Sequence, residues 1–444
     1  MKWRNLAIVA AVFAALGAYV YFYEIKGEKK REEAAENAKK LFAFESKDVA
    51  VLTIHSSNGE ITLEKVQEGW KISKPLEAKA DKFAADGLAS DLASLKIERT
   101  LEDEKPQWTT YGLESPQLKV TAKLSDGKTH ELEFGEKDFT DFSIFARVPG
   151  QDKVLVLPTG LFNSANKKLL DFRDKTVVEF QRDQLKEFTV AVKGKEFTFE
   201  KNKDDWMVKK PFQARADNSE VNSVVSDLES AKAEDFVDAP TDLKAYGLSS
   251  PDVRVDLYLG DNRTRRTLLI GKKVDSSYYA KDDSRSTIFK IREDLFKKLD
   301  LDSQKIRDKK MLRVERADVN RIEVTLPDKT FAFFKGSDDR WKMSRPEGHQ
   351  GKYVTDYKIF WPIEDLEGKE LIDNANLKDP KYGFDKPSAE IHIVDKNQKT
   401  TEIKLGKVDE DKVFGVVDGG TTVYKVEKKV LDDLNFKPED LIEK

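Results

Sequence analysis

The sequence predicts an α+β chain: three tandem repeats of a mainly antiparallel-sheet domain, about ββαββββα each, behind one N-terminal transmembrane helix. Three observations predict it. Five landmarks recur in one order at one period. Within each period, short stretches alternate apolar and polar residues around turn residues. An uncharged apolar run stands ahead of the first period. The period is plainest at Trp70, Trp206 and Trp341, which lie 136 and 135 residues apart. Pro75, Pro211 and Pro346 keep those intervals, each after a base (Lys74, Lys210, Arg345). Tyr111-Gly112-Leu113 returns as Tyr246-Gly247-Leu248 and as Tyr382-Gly383-Phe384, followed by Pro116, Pro251 and Pro387. Gly135, Gly271 and Gly406 close the three series.

From the N-terminus, residues 1–5 are short and basic and read as a cytoplasmic tip. Leu6 to Tyr23 is an uncharged run of 18 residues. As a helix it spans ~27 Å at ~1.5 Å per residue, close to the ~30 Å hydrocarbon core of a bilayer. Trp3 at one end and Tyr19, Tyr21, Phe22 and Tyr23 at the other suit the membrane interfaces. Ala15-Leu16-Gly17 offers a small-residue cleavage site, but the apolar run continues past it, so an uncleaved anchor over 6–23 is expected. Lys26, Lys29, Lys30 and Arg31 outnumber the bases ahead of the span, and counting bases alone favours the opposite orientation. A near-terminal apolar segment before a large polar region is nonetheless the pattern of a signal-anchor. It puts the bulk of the chain outside. Residues 24–40 are charged and read as a stalk.

Repeats follow at 41–175, 176–309 and 310–444. Each is long enough to bury its own core, unlike the ~20–50-residue units of solenoids. In the first, Val49–Ile54 reads as a strand, Ser57-Asn58-Gly59 as a hairpin turn and Glu60–Val66 as the return strand. Gly69–Ile72 carries the tryptophan, and Lys74-Pro75 ends the pairing because proline lacks an N–H. Ala84, Leu88, Leu92 and Leu95 have helical spacing after Asp81, a candidate cap. Asp217, Val221, Val224, Val225 and Leu228 match it in the second repeat. The third departs: Tyr353, Tyr357, Phe360 and Trp361 take the helix positions and Pro362 interrupts them. The glycine of Tyr-Gly-Leu points to positive φ or a tight turn, and the proline launches an extended segment. Strands then fall at 117–124, 130–134, 143–148 and 153–157, with a last helix near 159–170. Strands joined by hairpins give an antiparallel sheet. Arg173-Asp174-Lys175 and Arg307-Asp308-Lys309 end the first two repeats, while Lys437-Pro438-Glu439-Asp440 stands near the end of the third. The triplet reads as a junction between repeats, not as chemistry.

Composition narrows the function. There are 78 basic and 82 acidic residues for a net charge of −4, without the basic face a nucleic-acid binder needs. Cysteine is absent, which excludes disulfides and thiolate chemistry. His55, His130, His349 and His392 recur at no shared place and lack metal-ligand spacing. The acidic loops Asp282-Asp283, Asp338-Asp339 and Asp409-Glu410-Asp411 lack the glycine-centred calcium pattern. Gly348, Gly351 and Gly419-Gly420 form no phosphate loop after a strand, and no Gly-x-Ser-x-Gly nucleophile signature occurs. No cofactor, metal or catalytic residue is expected. The tryptophans read as core residues, with a carbohydrate platform as the alternative.

The Trp…Lys-Pro, Tyr-Gly-Leu…Pro, glycine and Arg-Asp-Lys landmarks behind one span resemble a bacterial family. Its members are single-span envelope proteins with a repeated domain of unknown function, typically encoded beside an ABC-transporter permease and gliding-motility-type auxiliary components. The resemblance covers residues 41–444. It implies a single-pass protein of the cytoplasmic membrane with its repeats on the periplasmic side. It also implies permease or auxiliary membrane proteins as partners, and carries over no catalytic residue. Three functions stay open: first a non-enzymatic accessory or scaffold protein of an ABC-transporter-type complex, then an independent envelope protein that recognises glycan or peptidoglycan, and last an enzyme of unrecognised type. Since the shared landmarks are turn and packing residues, the partner surface is expected where the copies disagree, above all around Tyr353–Pro362.

Overall fold

Alternating apolar residues on the first hairpin decide how each sheet begins. The computed structural model describes residues 39–101, 107–240 and 242–443, and Trp3 alone ahead of them. The expected cytoplasmic tip, anchor and stalk fall almost wholly outside the described residues. No helix among the described residues is long and apolar enough to cross a membrane. In the first repeat β1 (Val49–Ser56) pairs antiparallel with β2 (Gly59–Val66), and Ser56 faces Gly59 across the turn. The register sends Leu52, Ile54, Ile61 and Leu63 into the core and leaves Thr53 and Thr62 on the other face.

Four strands precede the main helix. β3 (Gly69–Lys74) pairs with β2, and β4 (Ala78–Lys79) adds a short edge. Helix α1 (Lys82–Ser94) follows, and Asp81 caps it by accepting the Ala84 N–H at 2.9 Å. Its buried stripe is Ala85, Leu88, Ala89 and Leu92. Ala84 is only partly buried and Leu95 lies past the helix end, so the apolar stripe sits one residue from the expected one at its start. Next come β5 (Arg99–Leu101), β6 (Leu118–Leu124), β7 (Thr129–Lys137), β8 (Ser143–Arg147) and β9 (Val154–Pro158). Two short helices, α2 (Gly160–Ala165) and α3 (Leu169–Phe172), close the repeat where one was expected. The nine strands lie in the order β4-β3-β2-β1-β6-β7-β8-β9-β5, all antiparallel.

The second repeat has another nine-stranded sheet of the same order, and the third an eight-stranded one that lacks the counterpart of β4. The three sheets with their short helices are three tandem α+β repeats. Each has its own core. The sheets exceed the expected strand count because the tryptophan segment forms a strand of its own and because, in the first two repeats, two- and three-residue edge strands are too short to show an alternation. In the second repeat α4 (Asn218–Ser230) is capped by Asp217, which accepts from Ser219 and Glu220. A shorter helix, α5 (Glu293–Leu299), follows its last strand. In the third, α6 (Asp356–Glu364) has no side-chain cap from Thr355 and spans 9 residues against 13 in the others. Pro362 does not interrupt it. The helix runs on to Glu364, because a proline so near the end removes one ladder donor and little else. α7 (Lys429–Asp433) and α8 (Pro438–Leu441) close the third repeat.

By packing the chain forms two compact units, one ending at Thr176 and one beginning at Val177. The second unit holds repeats two and three. There Arg307 is 7% exposed, with its Nη1 at 2.7 and 2.6 Å from the two Asp373 carboxylate oxygens. Its guanidinium lies 4.6 Å from the centre of the Phe212 ring. The Gln304 amide meets the Leu371 backbone, accepting its N–H at 3.3 Å and donating to its carbonyl at 3.4 Å. A backbone bond from the Gly368 N–H to the Lys309 carbonyl at 2.9 Å continues the seam.

Candidate functional site: a recurrent cleft

The shared landmarks are built into the packing. Trp70, Trp206 and Trp341 are all buried. The Trp70 indole donates to Asp86 at 2.8 Å and the Trp206 indole to Asn222 at 3.1 Å. The equivalent position in the third repeat is Tyr357, and Trp341 packs edge-on to Phe360 instead. Buried indoles offer no platform for a sugar. Lys74-Pro75, Lys210-Pro211 and Arg345-Pro346 share a cis peptide bond, each just past the end of the tryptophan strand. Pro116, Pro251 and Pro387 each stand two residues before a strand.

The two glycine series meet. Gly112, Gly247 and Gly383 have φ of 66°, 73° and 68°, the left-handed turn that favours glycine. That turn docks on a bulge at Gly135, Gly271 and Gly406, where the strand register shifts. A β-carbon on these three glycines would lie 2.0, 2.3 and 2.0 Å from the carbonyl oxygens of Tyr111, Tyr246 and Tyr382. The residue after the bulge glycine donates to that carbonyl, Lys272 at 2.9 Å and Lys407 at 2.7 Å. Each tyrosine ring rests on an aromatic of the next strand: Phe145, Tyr279 and Phe414.

The residues weighed for metal or calcium chemistry are dispersed or used internally. Among the described residues no group of three or more His, Asp or Glu could hold a metal ion. His130 lies against Phe42 and Phe44. Asp282 accepts from Ser284 and Arg285, and Asp338 from Tyr353 and Arg340.

A concave site does recur in the second unit. In the second repeat it lies between the end of α4 and α5, and in the third between the end of α6 and α7. Moving along the chain by 135 residues carries one lining onto the other. Ile291 and Leu295 become Val426 and Val430, so the apolar floor is kept. The charges are reversed: Lys232 becomes Glu367, Arg292 becomes Glu427, Asp294 becomes Lys429 and Lys298 becomes Asp433. In the second repeat Asp227 and Lys298 face each other at 3.8 Å. In the first repeat the same two positions hold Asp91 and Ser164, hydrogen-bonded at 2.7 Å.

The third cleft is the distinctive one. Trp361 and Tyr357 stand one turn apart on α6 and are 50% and 55% exposed. The Lys429 ammonium lies 5.0 Å from the centre of the Trp361 indole and 2.7 Å from an Asp433 oxygen. A cation between an aromatic face and a carboxylate is thus already present in the lining. Asp365 and Glu367 add two exposed carboxylates to the rim. The volume is about 190 Å³, below the ~300–1,000 Å³ of small-molecule pockets. It fits a side chain. Of this site the sequence showed Tyr357, Trp361 and Pro362. The charge reversal went unread, although superposing the copies at the period would have revealed it.

The repeat endings also align differently from the expectation. Ala80 bridges Arg173, Ala216 bridges Arg307 and Val354 bridges Ile442. The third copy of Arg-Asp-Lys is therefore Ile442-Glu443-Lys444, not Lys437-Pro438-Glu439-Asp440. The intervening α8 hid the correspondence, because its charged residues imitate the triplet.

A search of curated proteins found no match. A family model described as "Domain of unknown function (DUF4340)" matches residues 70–251, 206–380 and 357–444, which together cover most of the chain. The match falls on three segments of one chain, as a repeated domain requires, and the protein belongs to this family of unknown function.

Proposed function

We propose that this protein is a non-enzymatic scaffold, held at the bacterial cytoplasmic membrane by its N-terminal apolar run and carrying its repeats on the extracytoplasmic side. There it binds a membrane partner of the ABC-transporter type, a permease or an auxiliary protein. The third repeat's cleft makes the contact and receives a basic side chain from an extracytoplasmic loop of that partner. The observation that carries this reading is the charge reversal between two otherwise equivalent clefts. Packing keeps the apolar floor, and packing alone has no use for reversed rims. The exposed carboxylates Asp365 and Glu367 suit the charge of an arginine or lysine, and the half-exposed Trp361 offers apolar surface to its stem. Burial of the three repeated tryptophans removes the aromatic platform that a glycan reader would have used.

Affinity purification of the full chain from its native host in mild detergent tests the reading. The expected result is a stable complex with an ABC-type permease or its auxiliary subunit. Asp365→Lys with Glu367→Lys should dissociate it without changing the melting temperature. Recovery with isolated cell wall and no protein partner would replace this reading with the envelope-binding one.

A further inference from the structure

The β7–β8 hairpin of the first repeat carries two phenylalanines that its own domain does not cover. Phe139 is 99% exposed and Phe142 81%. The loop between the paired residues Lys137 and Ile144 is two residues longer than its counterpart between Lys273 and Tyr278. The counterparts end in Asp275-Ser276 and Glu410-Asp411. The phenylalanine tip therefore belongs to the first repeat alone. It is also held in shape. Asp138 turns inward and accepts the Thr140 N–H at 3.1 Å, the Thr140 hydroxyl at 2.7 Å and the Ser143 N–H at 3.4 Å. The Phe142 carbonyl accepts the Thr159 N–H at 3.1 Å.

The position of this tip names its occupant. Chain arriving from the apolar run enters the first repeat at Lys39, whose carbonyl accepts the Ile97 N–H at 3.0 Å. The next residue, Glu98, accepts the Ser143 hydroxyl at 2.8 Å, directly beside Phe142. The arriving chain and the phenylalanine tip thus share one end of the repeat. Lys39, Lys40 and Lys96 lie on the same two paired stretches, which suits anionic lipid headgroups. We infer that Phe139 and Phe142 insert into the bilayer interface and seat the first repeat on the membrane. Aromatic rings beside bases are the side chains that dock a domain at the headgroup level. The inference rests on the reading of residues 6–23 as an anchor.

The absence of cysteine gives a clean test. Full-length Phe139→Cys and Asp141→Cys, each carrying a nitroxide, are reconstituted into vesicles of phosphatidylethanolamine and phosphatidylglycerol. Asp141→Cys keeps both phenylalanines. Asp275→Cys, on the equivalent turn of the second repeat, is the reference. Collision with oxygen relative to a water-soluble nickel chelate should be severalfold higher at 139 and 141 than at 275. Alkaline carbonate extraction of the same vesicles reports on the anchor. Retained protein with probes at 139 and 141 as water-exposed as at 275 overturns the inference and leaves the anchor standing. Protein released by carbonate overturns both.

Discussion

Adding one methyl group to Gly271 would place a carbon 2.3 Å from the Tyr246 carbonyl oxygen, a contact that neither backbone can relieve without moving the turn off the bulge. Gly271→Ala should therefore destabilise the second repeat by ~1–3 kcal/mol, the usual range for overpacking. Gly87 is the opposite case. It is exposed within α1, and a β-carbon there meets nothing within 4 Å. Gly87→Ala should stabilise the first repeat by ~0.5–1 kcal/mol through helix propensity alone. Denaturant unfolding of the two variants checks both signs. Trp206→Ala removes a buried side chain and its bond to Asn222. The expected cost is ~3–5 kcal/mol, read as a lower midpoint of the unfolding transition that the second unit undergoes. Gly271 and Trp206 could be found in the sequence because a period needs only identity. Their contacts could not: nothing in the spacing of Gly247 and Gly271 says that one docks on the other.

At the level of elements, legibility followed length. The alternation of Glu60–Val66 and the helical spacing from Asp217 are long enough to show which face is buried. Ala78–Lys79 and Arg99–Leu101 are not. The strap after α3 shows what such short pieces do. Asp174 donates its N–H to the Lys79 carbonyl at 2.9 Å, and its carboxylate accepts the Thr176 N–H at 2.9 Å and pairs with the Lys79 ammonium at 3.2 Å. Burial alone would raise this acid. The bonds from Thr176 and the charge of Lys79 outweigh that and hold it below its ordinary 3.8. A carboxyl lowered by folding stabilises above its unfolded pKa, and the stabilisation fades as pH falls through the folded value. Asp174→Asn should thus lower the stability of the first unit at neutral pH, with the gap to the unsubstituted protein closing as pH drops below 3.8. Thermal melts across the acid range measure the gap; a constant gap would mean that the carboxylate's charge plays no part.

On the scale of the second unit, the ion pair at the repeat seam determines whether two domains behave as one. Arg307 is nearly buried, whereas the Asp373 side chain stays 40% exposed. The Phe212 ring covers one side of the guanidinium, and Nε has no hydrogen-bond partner among the described residues. A fully buried pair costs ~3–5 kcal/mol when one partner is removed; with Asp373 in contact with water the cost here should be nearer ~1–3 kcal/mol. That energy belongs to the seam, because each repeat has its own core on either side of it. Ile442, the residue that the third repeat carries at this place, supplies the natural replacement. Arg307→Ile keeps the bridge to Ala216, which uses only backbone, and deletes the bond to Asp373. In the unsubstituted protein, repeats two and three should melt in one coupled calorimetric transition. In Arg307→Ile the transition should split in two, with the combined enthalpy nearly kept. A single sharp transition in the variant would show that the bonds of Gln304 to Leu371 and of Gly368 to Lys309 hold the seam without the charge, and that Arg307 contributes only packing.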